Sequence, residues 1–220
     1  MTGDLGGAWQ ALRERRFETS VRLADYTTIR TGGPARWFLD VRGEEEAAAA
    51  LLLAKERSVP VLLVGNGSNL LISDEGFDGL VVRFGQGFAG MALEGLRLKA
   101  EAGVMLKALA YFAADHNLAG LAFAAGIPGS LGGALVMNAG AFNGEMSQVV
   151  ESVDCLTPDG RRIILTNRGA DFAYRHSRMM EEGLVVLGAT LLLAPGNREA
   201  LYATMAGFQE MRREKQPLAW

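Results

Sequence analysis

Two stretches of this chain are so rich in glycine and other small residues that a ligand can lie against their backbone. One is Val64-Gly65-Asn66-Gly67-Ser68-Asn69-Leu70-Leu71, directly after an apolar run. The other is Gly126-Ile127-Pro128-Gly129-Ser130-Leu131-Gly132-Gly133-Ala134-Leu135-Val136-Met137-Asn138-Ala139-Gly140-Ala141. The chain has 28 glycines, clustered in a few loops without a period, which points to tight backbone turns and not to a fibre or a linker.

In the first stretch, glycine permits φ > 0, so successive N–H groups can converge on one anion, with Ser68 and Asn69 adding side-chain donors. A loop of this kind holds a pyrophosphate. It is not the dinucleotide fingerprint, because the third glycine and the opening helix are missing. The competing reading is a plain turn between strands. In the second stretch a flat or extended ligand can lie against the backbone, and Pro128 stiffens the entry. Ser130 is placed to cap a short helix from Leu131, whose N-terminus would face a phosphate. The competing reading is close packing of a helix on a sheet. Two such loops in one chain favour a large dinucleotide ligand.

Around these stretches the pattern is mixed α and β. A short helix is expected near Trp9–Arg16. Strands are expected at 36–41, 61–64 and 79–84. A helix opens at Glu44-Glu45-Glu46 and runs to Lys55 and Arg57, with acid at its front and base at its back. Strand, helix and apolar strand make a βαβ unit with parallel strands. Further on, Leu96–Ala100 alternates as a strand and Val104–Asn117 is an amphipathic helix. Strands near 151–156 and 161–166 flank the turn signature Pro158-Asp159-Gly160. Leu184–Ala194 is a long apolar strand, and Arg198–Lys215 is a final helix. A boundary is expected near Phe84–Gly95.

The 22 basic and 25 acidic residues give a net charge of -3, so no basic surplus favours nucleic acid. The one cysteine, Cys155, reads as a small residue in a strand and excludes an intramolecular disulfide. No leader and no membrane-length apolar run is visible, and no His, Cys, Asp and Glu cluster has metal-ligand spacing. A cytoplasmic protein is expected. A third segment, Phe172-Ala173-Tyr174-Arg175-His176-Ser177-Arg178, pairs aromatics with arginine and can present a guanidinium fork to a carboxylate. It reads equally as a surface loop with stray charges. His176 is taken as a bystander, and His116 as a helix cap.

Together these segments resemble the UDP-N-acetylenolpyruvoylglucosamine reductases, in the shorter subtype. The matching motifs are Tyr26-Thr27-Thr28-Ile29-Arg30-Thr31-Gly32-Gly33-Pro34-Ala35, the Gly65–Leu71 loop, Ala125–Ala141 and Tyr174-Arg175-His176-Ser177, in matching order from about residue 20 onward. The resemblance implies an α+β fold: a two-part FAD-binding unit of the vanillyl-alcohol-oxidase type, followed by a substrate-binding domain. The parts would be residues 1–84, 85–195 and the start of the third domain at 196–220. It implies noncovalent FAD, held by Gly65, Asn66, Gly67, Ser68, Asn69 and Leu70 and by Ile127, Pro128, Gly129, Gly132, Gly133, Asn138 and Gly140.

It also implies that NADPH reduces the flavin and that the enolpyruvyl group of a nucleotide sugar is then reduced in the same pocket. Arg175 would stabilise charge on the substrate carboxylate, with Tyr174, Arg212 and Lys215 as substrate contacts. No nucleic acid, membrane or obligatory protein partner is implied. In the family a serine proton donor follows the Lys-Gln-Pro stretch and a glutamate comes near the C-terminus. Here Lys215-Gln216-Pro217 is followed by Leu218, Ala219 and Trp220, so the expectation is a C-terminally truncated chain. Two other readings remain at this point. One is an FAD-dependent alcohol oxidase or dehydrogenase of the same fold, many of which attach flavin through His or Cys near the first loop, where Ser68 and Asn69 stand here. The other is a noncatalytic flavin- or nucleotide-binding module.

Overall fold

A computed structural model describes residues 17–215. The helix expected at Trp9–Arg16 lies outside the described residues. The first half builds a four-stranded sheet from β1 (Val21–Arg22), β2 (Pro34–Asp40), β3 (Val61–Val64) and β4 (Phe77–Arg83). Helix α1 (Glu44–Glu56) connects β2 to β3. The βαβ expectation is right about direction and incomplete about neighbours. The strand order is β1-β2-β4-β3, so β2 and β3 each pair in parallel with β4 and not with one another.

Side chains on β4 alternate faces with the period of two that a strand imposes. Val81 joins a small core with Leu23, Ala35, Phe38 and Val64, whereas Leu80 and Val82 face the main core. Helix α1 turns Ala47, Ala50, Leu51 and Ala54 inward, the i, i+3, i+4, i+7 stripe of an amphipathic helix. Its three leading glutamates complement the positive end of the helix dipole, and Lys55 stands in the last turn.

The second half builds a five-stranded antiparallel sheet, in which β5 (Met91–Glu94) and β6 (Arg97–Glu101) form one edge hairpin. Helix α2 (Leu106–Asp115) follows, then β7 (Leu118–Ala119) and α3 (Leu131–Val136). After the small hairpin of β8 (Gly140–Ala141) and β9 (Gly144–Glu145), the sheet continues through β10 (Val150–Leu156), β11 (Arg162–Thr166) and, past α4 (Arg178–Glu181), β12 (Val185–Leu192). The sheet order is β11-β10-β12-β6-β5. Strand β13 (Ala194–Pro195) pairs with β7, and α5 (Arg198–Lys215) closes the chain.

The two halves share one apolar core. It runs without a break from Leu39, Val82 and the α1 alanines to Leu98, Leu109, Val153 and Val186. The β10–β11 hairpin leans on α1, where a Cβ on Gly160 would already touch Leu52 Cγ at 3.2 Å. Arg162 bridges the same junction, reaching Glu44 of α1 at 3.0 Å and Asp154 of β10 at 2.8 Å. Cys155 is fully buried in β10, and burial pushes its thiol up to about 12. Among the described residues no helix is long and apolar enough to cross a membrane, and no group of His, Cys, Asp and Glu could hold a metal ion.

Candidate active site

A cavity of about 680 Å³ opens between the two halves. Gly65, Asn66, Gly67, Ser68, Asn69 and Leu70 line one wall, and Ile127, Pro128, Gly129, Ser130, Gly132, Gly133 and Gly140 line the facing wall. Segments about sixty residues apart in sequence are therefore brought to one surface. The size lies within the range of sites that take small ligands and cofactors.

The first wall exists because an apolar strand ends at Val64 and the chain must then turn before β4. Gly67 makes that turn at φ +62, a conformation that costs glycine nothing and most residues dearly. A Cβ there would overlap the Tyr26 carbonyl oxygen and lie 2.9 Å from Thr27 Cα. Thr28 N–H donates to the Gly67 carbonyl at 3.2 Å. The Tyr26-Thr27-Thr28 motif is thus the backing on which the glycine loop rests. Among the described residues, the backbone amides of Asn66, Gly67, Ser68 and Asn69 donate to no other group of the protein. Four donors left over beside a cavity are a cradle for an anionic ligand.

The two walls are tied directly. The Asn66 side-chain amide donates to the Pro128 carbonyl at 2.9 Å. Ser130 comes so close to Gly65 that a Cβ on Gly65 would overlap Ser130 Oγ. On the second wall, Gly132 lies where a Cβ would press on Ala102 Cβ at 3.0 Å. The glycine at that position lets α3 seat closely on the segment that follows β6.

Two expectations for α3 need correction. Ser130 occupies the N-cap position, but its hydroxyl accepts no hydrogen bond from a helix amide. The first two amides of the helix are not presented to a ligand either. Leu131 N–H donates to the Val104 carbonyl and Gly132 N–H to the Ala102 carbonyl, each at 2.8 Å. The segment before α2 takes these two amides, whereas among the described residues the Gly133 amide donates to no other group of the protein, so the first wall supplies four such donors and the helix end one.

Asn138 stands apart from the other residues expected to touch the cofactor, because it is not among those lining the cavity. It is 3 % exposed and its side chain is engaged at both ends. Its Nδ2 donates to the Ala173 carbonyl at 3.2 Å, and its Oδ1 accepts from Ser147 N–H at 2.9 Å.

Arg175, far from both loops in sequence, lines the same cavity. Arg212 lines it too, from α5, and donates through its guanidinium to the Gly126 carbonyl. Tyr174, next to Arg175, is 89 % exposed and does not line the cavity. The side chain of Lys215 lies outside the described residues. His176 is on the turn beside Arg175, with Nε2 3.9 Å from Glu181 Oε2. His116 ends α2, its Nδ1 2.8 Å from the Phe112 carbonyl oxygen.

Sequence reasoning missed several lining residues. Met179, Met180 and Met211 lie on the cavity wall, as does Phe142, whose ring stacks on Phe208 of α5 with centroids 4.3 Å apart. Nothing local marks these residues, which come to the cavity from α4, from α5 and from the turn between β8 and β9.

The donor loop, the bare second wall and the cavity volume suit a dinucleotide with a pyrophosphate centre. Residues 36–166 match a family described as FAD binding domain. The chain is 39% identical over 209 residues to UDP-N-acetylenolpyruvoylglucosamine reductase of Clostridium novyi (strain NT), covering 95% of this chain and 68% of that protein. The crystal structure of UDP-N-acetylenolpyruvylglucosamine reductase from Thermus caldophilus superposes with a TM-score of 0.80 at 36% identity, over 92% of this chain and 71% of that one. A solvent-stable cholesterol oxidase superposes with a TM-score of 0.65 at 17% identity, over 82% of this chain and 38% of the oxidase, and so shares the fold alone. The α+β, FAD-binding architecture expected from the motifs is the one this chain has, and the chain belongs to the UDP-N-acetylenolpyruvoylglucosamine reductase family.

Proposed function

We propose that the protein binds FAD in this cavity and reduces the enolpyruvyl group of UDP-N-acetylglucosamine enolpyruvate to give UDP-N-acetylmuramate, a peptidoglycan precursor, with NADPH as the hydride donor. The observation that carries the reading is the convergence of the Gly65–Leu70 loop, the Ile127–Gly140 segment and Arg175 on one cavity. When bound, FAD would supply hydride chemistry between NADPH and the vinyl carbon, and a proton added at the neighbouring carbon would complete the reduction.

Each wall then has its own task. The amides of Asn66, Gly67, Ser68 and Asn69 hold the pyrophosphate, and the Asn66–Pro128 hydrogen bond fixes the spacing between the walls. Gly129 and Gly133 leave the second wall bare for the rest of the cofactor. Arg175 lies against the substrate carboxylate and stabilises the negative charge that grows on it, the preorganised electrostatic role that is worth roughly 3–4 kcal/mol per oriented donor. Arg212 and Lys215 of α5 serve the nucleotide sugar and its diphosphate, and Tyr174 is a rim contact beside Arg175. Residues 1–84 and 85–195 are the two parts of the cofactor unit, and 196–220 begin the substrate-binding part. The soluble nucleotide-sugar substrate supports a cytoplasmic enzyme, and the net charge of -3 gives no basic surplus for nucleic acid.

Spectroscopy on the purified protein tests the reading. Flavin absorbance is expected, with all colour released by acid precipitation, since among the described residues no His or Cys lines the cavity. Anaerobic NADPH is expected to bleach the flavin and, in a version of the protein that carries the family's serine proton donor, the enolpyruvyl sugar is expected to restore its colour. A colourless protein, or a reduced flavin indifferent to the sugar, would overturn the assignment.

A further inference from the structure

We propose that Asn138 is a positioning residue for Arg175: it joins the element lining the cofactor cavity to the turn that presents the guanidinium to the substrate. The proposal rests on the role given above to Arg175.

Residues 173–176 form a tight reversal. Ala173 N–H donates to the His176 carbonyl at 3.1 Å, and His176 N–H donates back to the Ala173 carbonyl at 3.2 Å. Arg175 sits at the tip with φ +54, in the left-handed region that a residue with a long side chain occupies only when its surroundings hold it there. Those surroundings are the C-terminal end of α3. Asn138 Nδ2 donates to the Ala173 carbonyl at 3.2 Å, before the tip. After the tip, the fully buried Ser177 donates through Oγ to the Val136 carbonyl at 2.7 Å. Both flanks of the reversal are therefore clamped to residues only two apart in sequence.

The same short stretch serves the cavity. Val136, Met137, Ala139 and Gly140 line it, while Asn138, between them, turns away from it to reach the 173–176 turn. Asn138 manages this at φ +40, a conformation that asparagine tolerates better than most side chains. Its other end, Oδ1, is fixed by Ser147 N–H at 2.9 Å, so the amide cannot rotate without losing a bond. The amide donor is thus aimed at Ala173 by the same backbone that forms the cofactor wall. Displacing the turn would move Arg175 and leave the Gly65–Leu70 loop untouched.

Asn138→Asp is the decisive variant. It keeps the shape and the acceptor for Ser147 N–H but sets a carboxylate oxygen against the Ala173 carbonyl; a protonated carboxyl restores the donor. In the FAD-loaded protein, with variant and wild type both carrying the family's serine proton donor, flavin content and NADPH-driven reduction are expected to match wild type. Reoxidation by the enolpyruvyl sugar is expected to slow about tenfold or more at pH 8, relative to wild type at the same pH, and to recover as the pH is lowered. Hydrogen exchange at the His176 amide is expected to quicken at pH 8 and slow again in step. A purely structural role would not confine the defect to one half-reaction or tie it to a single carboxyl titration. Ser177→Ala, which loosens the other flank, is expected to slow reoxidation in the same way without the pH rescue.

Three results would overturn the proposal. The first is wild-type reoxidation and exchange in Asn138→Asp at every pH. The second is loss of flavin with unchanged exchange at His176, which would make Asn138 a cofactor contact. The third applies if Asn138→Asp does not fold: normal reoxidation and exchange in Ser177→Ala. Arg175→Ala serves as the control. Normal reoxidation in that variant would remove the role given to Arg175 itself, a failure distinct from that of Asn138.

Discussion

Gly65 and Ser130 meet across the cavity with no room for a side chain between them. A Cβ on Gly65 would overlap Ser130 Oγ, yet would lie 3.4 Å from Ser130 Cβ, close to ordinary contact. The overlap therefore belongs to one atom. Gly65→Ala is expected to destabilise the protein by about 1–3 kcal/mol, as overpacking does. Adding Ser130→Ala removes that atom and is expected to recover most of the loss. Denaturant unfolding of the flavin-free variants measures it. Additive effects within about 0.5 kcal/mol would show that the two residues are not coupled.

Gly67 is constrained from a different side. Its φ of +62 and the nearness of the Tyr26 carbonyl mean that a side chain would push the loop off its own backing before any ligand was involved. Gly67→Val is expected to lower FAD occupancy of the purified protein severely, since a β-branched residue resists this φ. Full flavin content in that variant, read as the ratio of flavin to protein absorbance, would count against the loop as the pyrophosphate cradle.

Arg175 separates the two half-reactions. In a version of the protein that carries the family's serine proton donor, Arg175→Ala is expected to retain FAD and to be reduced by NADPH at a normal rate. Its reoxidation by the enolpyruvyl sugar should fall by a factor on the order of 10² or more, as when one oriented donor is lost. Arg175→Lys keeps the charge but not the planar fork, so it should remain impaired. Stopped-flow absorbance at the flavin band follows both halves. A collapse of flavin reduction with normal reoxidation would reverse the assignment.

Cys155 offers a probe remote from the cavity. Burial raises its thiol from an ordinary 9.0 to about 12, so in the folded protein it stays protonated at pH 8. Aromatic disulfide reagents are expected to leave it untouched until the chain unfolds. The linkage has a definite sign. Between pH 9 and 12 the unfolded thiol has lost its proton while the folded one keeps it, so its contribution to stability falls as pH rises through that window. Cys155→Ala should flatten that part of the stability profile. Fast labelling of the native protein at pH 8 would contradict the burial of β10.

Local sequence carried the elements whose causes are local. The glutamates ahead of α1, the apolar run of β3 and the turn at Pro158-Asp159-Gly160 sit where the residues predicted. Strand β5 did not announce itself, because Met91-Ala92-Leu93-Glu94 is composed of good helix formers; pairing with β6 decides its state. The cavity was legible at its glycine-rich walls, where small residues leave a mark in composition. It was not legible where long-range contacts decide. The first two amides of α3 are taken by Val104 and Ala102, some thirty residues earlier, and Asn138 reaches Ala173, thirty-five residues later. No pattern within a window of either residue records such a partner.

The placement of β4 has a consequence for how the protein is born. In the order β1-β2-β4-β3, the last of these strands to be synthesised is the one that both β2 and β3 require as a parallel partner. Until Arg83 has been added, β3 has nothing in that sheet to pair with, and the Gly65–Leu70 loop at its end has no fixed shape. The facing wall arrives later still, with Ile127 and Pro128, whose carbonyl receives Asn66. A nascent chain therefore has both walls of the cavity only after Pro128 has been added, when more than half of these residues have been made.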